Sequence, residues 1–196
     1  APVVTPEIHD RVMKEVILPT VRGMAAEGNT YTGFLYAGLM IAADGCPKVV
    51  EYNCRFGDPE AQPIMMRLQS DLVELCQAAL NKTLGNTTIE FDDRAALGVV
   101  LAAGGYPDSY AKGKVISGLD ADSDSPHSKI FHAGTTLHNN GIVTNGGRVL
   151  CATALGDTVT QAQARAYQLV SQIDWDAVYY RKDIGYRAVA REAQAR

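Results

Sequence analysis

The stretch GFLYAGLMIAADGCPKVVEYN, residues 33–53, followed by CRFGDPEAQP, residues 54–63, carries the pattern from which the fold can be read. Two apolar runs flank Asp44-Gly45. An Asp-Gly pair between such runs is a strong hairpin signal, because glycine accepts the left-handed backbone of a tight turn. The pattern predicts an antiparallel pair, about 34–42 and 47–53. The first strand is apolar on both faces and is expected to be covered on both sides. Side chains alternate along the second, so Val49, Glu51 and Asn53 share one face and Val50 and Tyr52 the other. A strand heading out of a core thus delivers Glu51, Asn53, Arg55, Asp58 and Glu60 into one short span.

Glu51 and Asn53 have Cα atoms roughly 6–7 Å apart with side chains pointing the same way. A carboxylate and an amide carbonyl are both hard oxygen donors. Mg²⁺ commonly takes one or two protein ligands and completes its shell with substrate phosphates and water. The pair therefore suits a nucleotide-phosphate metal better than a closed protein cage. Arg55 adds a planar bidentate donor suited to phosphate or carboxylate. Asp58 and Glu60 stand at the mouth of the next helix, where they could cap it or hold an amine. Solvation and capping explain the same residue types, and Glu-x-Asn alone is a weak motif.

Upstream of the hairpin, residues 5–28 read as a helix. Thr5 can cap it and Pro6 suits its first turn. Val12, Val16 and Thr20, with Met13, Ile17 and Val21 beside them, give a broad apolar face. Pro19 is expected to kink this helix or end it early, and Gly28-Asn29 to terminate it. Downstream, Pro59–Gln69 reads as a short helix. Ser70 is expected to cap a second one, with Leu72, Val73, Leu75, Cys76, Ala79 and Leu80 facing inward. The polar, turn-rich residues 81–93 mark a domain boundary, giving domains 1–90 and 91–196.

The second domain reads as strands in AALGVVLAAGGYP (95–107), KIFHAGT (129–135), GIVTN (141–145) and GRVLCATALG (147–156), with turns at NNG and NGG. A helix follows, with Val159, Ala162, Ala166, Leu169, Val170 and Ile173 at helical spacing. Residues 120–128, DADSDSPHS, read as a solvated loop. The paired glycines of AGGYP and TNGGRV read as turns. Arg148 could reach a ligand from the C-terminal domain, but a surface or inter-domain role is the favoured reading, and YYRKDIGYR reads as a segment packed on the sheet.

Composition narrows the function classes. The net charge is −4 and no Lys/Arg run appears, which argues against a nucleic-acid surface. The longest apolar run, near 95–103, is strand-length, so no membrane span is expected. Cys46, Cys54, Cys76 and Cys151 form no C-x-x-C pair and no zinc-ligand pattern, which predicts four reduced thiols and a cytoplasmic protein. His9, His127, His132 and His138 are scattered, and none is singled out as a base. No signal peptide is read at the start, and the opening APVVTPEIH suggests a processed chain or a fragment.

YTGFLYAGLMI (31–41) and KVVEYNCRFGDPEAQPIMMRLQSDLVEL (48–75) resemble the glycinamide ribonucleotide synthetase family of ATP-grasp ligases. The likeness continues through RAALGVVLAAGGYP, KIFHAGT and VTNGGRVLCATALG, over essentially all 196 residues. It implies an α+β fold: the second half of an ATP-grasp core, with antiparallel strands and packed helices, then a small C-terminal domain with a mixed β-sheet and a helix. It implies ATP-dependent ligation of glycine to 5-phosphoribosylamine through a glycyl phosphate, giving glycinamide ribonucleotide, ADP and phosphate. By the same resemblance Glu51 and Asn53 match the metal pair, for Mg²⁺ with Mn²⁺ as a substitute. Arg55 matches a catalytic arginine beside the transferred phosphate, and Asp58 and Glu60 fall in the substrate pocket.

Two departures go with the resemblance. The strand GFLYAGLMI carries no acid, where many ATP-grasp ligases have a further metal-binding carboxylate, so a second metal is in doubt. The family's N-terminal half, with its adenine pocket and phosphate-gripping lysines, is not in this sequence. The expectation is a C-terminal portion, inactive alone, whose partner is that N-terminal half. The alternative is a non-catalytic binding module of ATP-grasp-like shape.

Overall fold

The computed structural model describes residues 2–119, 125–139 and 141–194. They form two compact units, one of residues up to Asp58 with Leu68–Phe91, the other of Pro59–Arg67 with the residues from Asp92 onward. Both mix helices with antiparallel strands, as an α+β fold requires. Residues 120–124 of the expected solvated loop, and Asn140 of the NNG turn, lie outside the described residues.

In the first unit, helix α1 (Pro6–Val12) starts where expected. The Thr5 Oγ1 accepts the Ile8 N–H at 3.3 Å, and Pro6 fills the first turn, where no N–H is needed. Pro19 does not end the helix. A π-turn over Met13–Ile17, closed by the Leu18 N–H on the Met13 carbonyl, precedes it, and the helix runs on as α2 (Leu18–Ala26). The widened turn accommodates a proline ring that would clash in a regular helix. The segment stops at Gly28, with φ +81° and the Asn29 N–H on the Met24 carbonyl at 2.8 Å, a Schellman closure.

Strands β1 (Tyr36–Ile41) and β2 (Pro47–Asn53) pair antiparallel around the Asp44-Gly45 turn. Gly45 has φ +77°, and Asp44 Oδ1 accepts the Cys46 N–H at 2.9 Å. One departure from simple alternation is a bulge. Gly38 faces Glu51 while Leu39 faces Val49, so Val50 is an extra residue on β2. The α1–α2 helix holds the hairpin through Tyr52 Oη with Thr20 Oγ1 (2.8 Å) and Arg11 Nη1 to the Asp44 carbonyl (3.1 Å). The two-sided cover expected for β1 is not found among these residues. Met40 is 59% exposed and Val50 68%.

Helix α3 (Ala61–Arg67) belongs to the second unit. Helix α4 (Leu72–Leu80) belongs to the first and is capped by Asp71, not Ser70. The Asp71 Oδ1 accepts from Val73 and Glu74, while Ser70 Oγ accepts the Glu90 N–H at 2.8 Å. Val73 and Leu80, expected inward, are 64% and 75% exposed.

The second unit is built on a four-stranded sheet: β3 (Ala95–Ala103), β4 (Ser128–His132), β7 (Arg148–Gly156) and β8 (Val178–Tyr179), in the order β4-β7-β3-β8. Strands β5 (Thr135–His138) and β6 (Gly141–Thr144) form a separate pair. The described pairs are all antiparallel, which refines the mixed sheet expected from the sequence. Helix α5 (Val159–Val170) buries Ala162, Ala166, Leu169 and Val170 against Leu97, Val99 and Leu101 of β3. Burying each such Val or Leu contributes about 1.5–3 kcal/mol. A last helix, α6 (Tyr186–Gln194), had no counterpart in the sequence reading. Its Glu192 accepts from the Val159 N–H (2.6 Å), the Thr160 N–H (3.0 Å) and Thr160 Oγ1 (2.8 Å), closing the start of α5.

Candidate functional site

The hairpin fixes the acid–amide pair. Glu51 and Asn53 lie past the bulge on one face of β2, and the Asn53 Nδ2–H donates to Glu51 Oε1 at 3.3 Å. The two side chains converge, Glu51 exposed and Asn53 half-buried. Gly38 stands opposite Glu51 in the ladder, and a Cβ there would come within 3.0 Å of Glu51 Cγ. The missing side chain is what gives the carboxylate its room. Asp44, the nearest acid in sequence before the pair, spends its carboxylate on the turn.

The donor set fits a hard cation held partly by substrate. One carboxylate and one amide lie side by side at an open strand end, the sparse protein shell that Mg²⁺ accepts when phosphates and water supply the rest. The carboxamide can turn its oxygen outward with the same packing, because its O and N are interchangeable in shape. Among the described residues no group of three or more His, Cys, Asp and Glu side chains could form a closed protein site.

Beyond β2 the chain is pinned rather than loose. The Phe34 and Phe56 rings lie 4.1 Å apart at 33°, and Tyr31 Oη donates to the Phe34 carbonyl at 2.7 Å. Burial and the neighbouring Cys54 thiol push the Tyr31 phenol above its ordinary range. Arg55 lies between these anchors, exposed, with Nη1 donating to the Phe56 carbonyl at 2.7 Å. That bond engages part of a five-donor fork. Asp58 is exposed and ends the first segment of the first unit, while Glu60, just after the Pro59 that opens the second, is a half-buried turn residue whose carbonyl accepts the Ile64 N–H at 3.2 Å. The structure thus brings Glu51 and Asn53 together. Arg55 is set two residues on, and Asp58 and Glu60 fall in different units.

The sequence reading did not anticipate a cavity in the second unit. A cavity of about 330 Å³ is lined by Tyr106, Arg148, Tyr179, Tyr180 and Arg181 over the Gly98 side of β3. The composition of YYRKDIGYR hinted at it, but its partner strands are distant in sequence.

Two family models match the chain. One, described as phosphoribosylglycinamide synthetase, ATP-grasp (A) domain, matches residues 1–61, and the other, phosphoribosylglycinamide synthetase, C domain, matches residues 96–187. A phosphoribosylamine–glycine ligase of Vibrio cholerae is 70% identical over 192 residues, 98% of this chain and 44% of the relative. One of Pseudomonas aeruginosa is 63% identical over 192 residues, again 98% and 44%. A crystal structure of phosphoribosylamine–glycine ligase from Thermotoga maritima is 36% identical with a TM-score of 0.80, covering 94% of this chain and 45% of that one. The chain therefore spans a little under half the length of the relatives it matches.

Proposed function

The chain belongs to the phosphoribosylglycinamide synthetase family, and from that premise we propose that it supplies the metal-binding end of an ATP-dependent ligase joining glycine to 5-phosphoribosylamine. Residues 1–90 would be the later part of the ATP-grasp core and 91–196 the C-terminal domain. The observation that carries the reading is the Glu51–Asn53 pair, converging on one strand face with a glycine opposite. The protein would act in the cytoplasm on small molecules. No described helix is long and apolar enough to cross a membrane.

In this reading Glu51 and Asn53 hold Mg²⁺, or Mn²⁺ in its place. The ion, when bound, neutralises charge on the transferring phosphoryl group. Arg55 turns its donor fork to the same phosphate oxygens and orients the acyl phosphate. Asp58 and Glu60 hold the amine of a substrate by charge. The attacking amine is a nucleophile once deprotonated, so positioning supplies much of the remaining rate.

The test is a metal titration. Mn²⁺ added with ATP to the chain should broaden the amide signals around Glu51 and Asn53. Glu51→Gln should weaken that binding by about tenfold or more, the scale of one charge-assisted contact. Unchanged broadening in Glu51→Gln would falsify the assignment. These 196 residues alone are expected to show no turnover with ATP, glycine and phosphoribosylamine. Activity at the rate of the full-length relatives would overturn that part of the reading.

A further inference from the structure

Building on the metal reading of Glu51 and Asn53, we propose that Tyr36 is a positioning residue for that pair: its ring, not its hydroxyl, walls the Glu51 side chain and keeps the carboxylate beside Asn53. Strand register puts it there. Tyr36 directly faces Asn53, and Gly38 directly faces Glu51. Directly opposed residues of an antiparallel pair share a face. The bulge begins only beyond Gly38, so these four residues form a regular patch on one face. Tyr52 points to the other face, where its hydroxyl meets Thr20 of the α1–α2 helix at 2.8 Å. Tyr36 therefore stands on the face that carries the pair, away from the one that holds the helix.

Within that patch Tyr36 and Glu51 are diagonal neighbours. Such residues stand about 7–8 Å apart, within reach of aromatic and long side chains. Gly38 leaves the space in which they meet. The point where a Cβ at Gly38 would stand is 3.0 Å from Glu51 Cγ and 3.6 Å from Tyr36 Cε1. The ring thus leans along β1 over Gly38, and its edge shares with the glutamate stem the hollow left by the absent side chain. Tyr36 is half-buried there, whereas Glu51 is exposed.

An exposed glutamate samples several rotamers and loses that freedom when a ligand fixes it. Here two neighbours restrict it beforehand. The Asn53 Nδ2–H holds Oε1 at 3.3 Å from the β2 side. The Tyr36 ring edge, from the β1 side, stops the stem from lying back across the ladder. A carboxylate confined in this way has less freedom left to lose when an ion arrives, so binding is tighter for the same contacts. The wall is an aromatic edge, and the phenol oxygen takes no part in it.

Two measurements on the labelled chain test this. The first needs no metal. The native chain should show nuclear Overhauser contacts between the Tyr36 ring protons and the Glu51 methylenes, and Glu51 α–β couplings of a single rotamer. Tyr36→Val keeps a strand-favouring residue too short to reach over Gly38. In it those couplings should average while the other amide signals of the hairpin stay in place. The second measurement is Mn²⁺ with ATP, read as broadening at Glu51 and Asn53. Tyr36→Val should weaken binding about 3–10-fold, the confinement of one glutamate side chain. Tyr36→Phe, which keeps the ring, should restore native couplings and affinity. Native affinity in Tyr36→Val overturns the proposal. So does a Tyr36→Phe chain that loses as much as Tyr36→Val, since the hydroxyl would then be the acting group. Absence of the ring–methylene contacts in the native chain overturns it without any variant. A native chain with no Mn²⁺ broadening loses the metal reading, and this proposal falls with it. Broadening that Tyr36→Val leaves unchanged loses this proposal alone.

Discussion

The two units solve stability in opposite ways. In the second, β7 is buried from Val149 to Gly156 and is flanked by β3 and β4, with α5 closing the core. In the first, only the side chains of Val16 and Pro47 are buried among the described residues, and Met40, Val50, Val73 and Leu80 are all more than half exposed. Yet the first unit carries the acid–amide pair. That pair is held by ladder register, by one bulge and by a few named bonds rather than by a packed interior. The contrast teaches where each kind of substitution should be felt: volume matters in one unit, backbone geometry in the other.

The sharpest way to break that contrast is to delete core volume. Leu101→Ala, at a residue with 0% exposure, should cost about 2–5 kcal/mol in urea unfolding. Val50→Ala, on the exposed bulge, should stay within about 0.5 kcal/mol. Comparable losses from the two would mean that the first unit has a core these burial values do not show. The same exposed face, with Met40 and Val50, should make the chain associate as its concentration rises. Light scattering that stays monodisperse at high concentration would count against this.

The next effect is about a cap. Glu192→Ala removes the carboxylate that accepts from Val159 and Thr160. By analogy with lost N-caps it should cost about 0.5–2 kcal/mol. Thermal unfolding by circular dichroism measures it, and an unshifted midpoint would show that α6 does not support α5.

Much of this was legible in the sequence, and the failures share a cause. The hairpin, its turn, the strands of the second unit and α5 follow from apolar period and turn residues, which are local. The bulges at Val50 and Val149 are not, since an extra residue in a strand leaves no mark in composition. Counting by twos placed Val49 with Glu51, whereas the register sets them on opposite faces. Ser70 and Asp71 are adjacent cap formers, and which one caps is decided by Glu90, far along the chain. Helix α6 was missed although Tyr186, Val189, Ala190 and Ala193 recur at helical spacing, because that stripe is short and half alanine, and its anchor is a carboxylate seated on another helix. The family motif made Glu51, Asn53 and Arg55 readable as a group, but not the glycine opposite Glu51.

Charge gives a smaller test, confined to the second unit. Asp92 is held down at about 2, chiefly by the Arg94 side chain that donates to it, with Nε–Oδ1 at 2.9 Å, and further by the Arg94 backbone N–H at 2.8 Å. Its ordinary value is 3.8. The folded state thus prefers the ionised form more than the unfolded chain does. The resulting stabilisation is fully present above about pH 4 and is lost as pH falls toward 2. A titration of the unfolding midpoint across that window should show a steeper acid loss in the native chain than in Asp92→Asn. Parallel curves would mean the pair contributes nothing.

The finest probe compares two glycines of the first unit. Gly23 lies in α2 with nothing within 4 Å of a built Cβ, whereas the same atom at Gly38 would come within 3.0 Å of Glu51 Cγ. Gly23→Ala should therefore stabilise by about 0.5–1 kcal/mol, the helix-propensity difference, and leave Mn²⁺ binding alone. Gly38→Ala gains similar rigidity in the unfolded chain, so its net effect on stability should be small. It must, however, push the Glu51 side chain aside by a few tenths of an ångström. Metal affinity should fall several-fold while the unfolding midpoint hardly moves. If affinity holds in Gly38→Ala, the carboxylate has more freedom than the ladder suggests. The first unit would then hold its pair by side-chain adaptability, not by register.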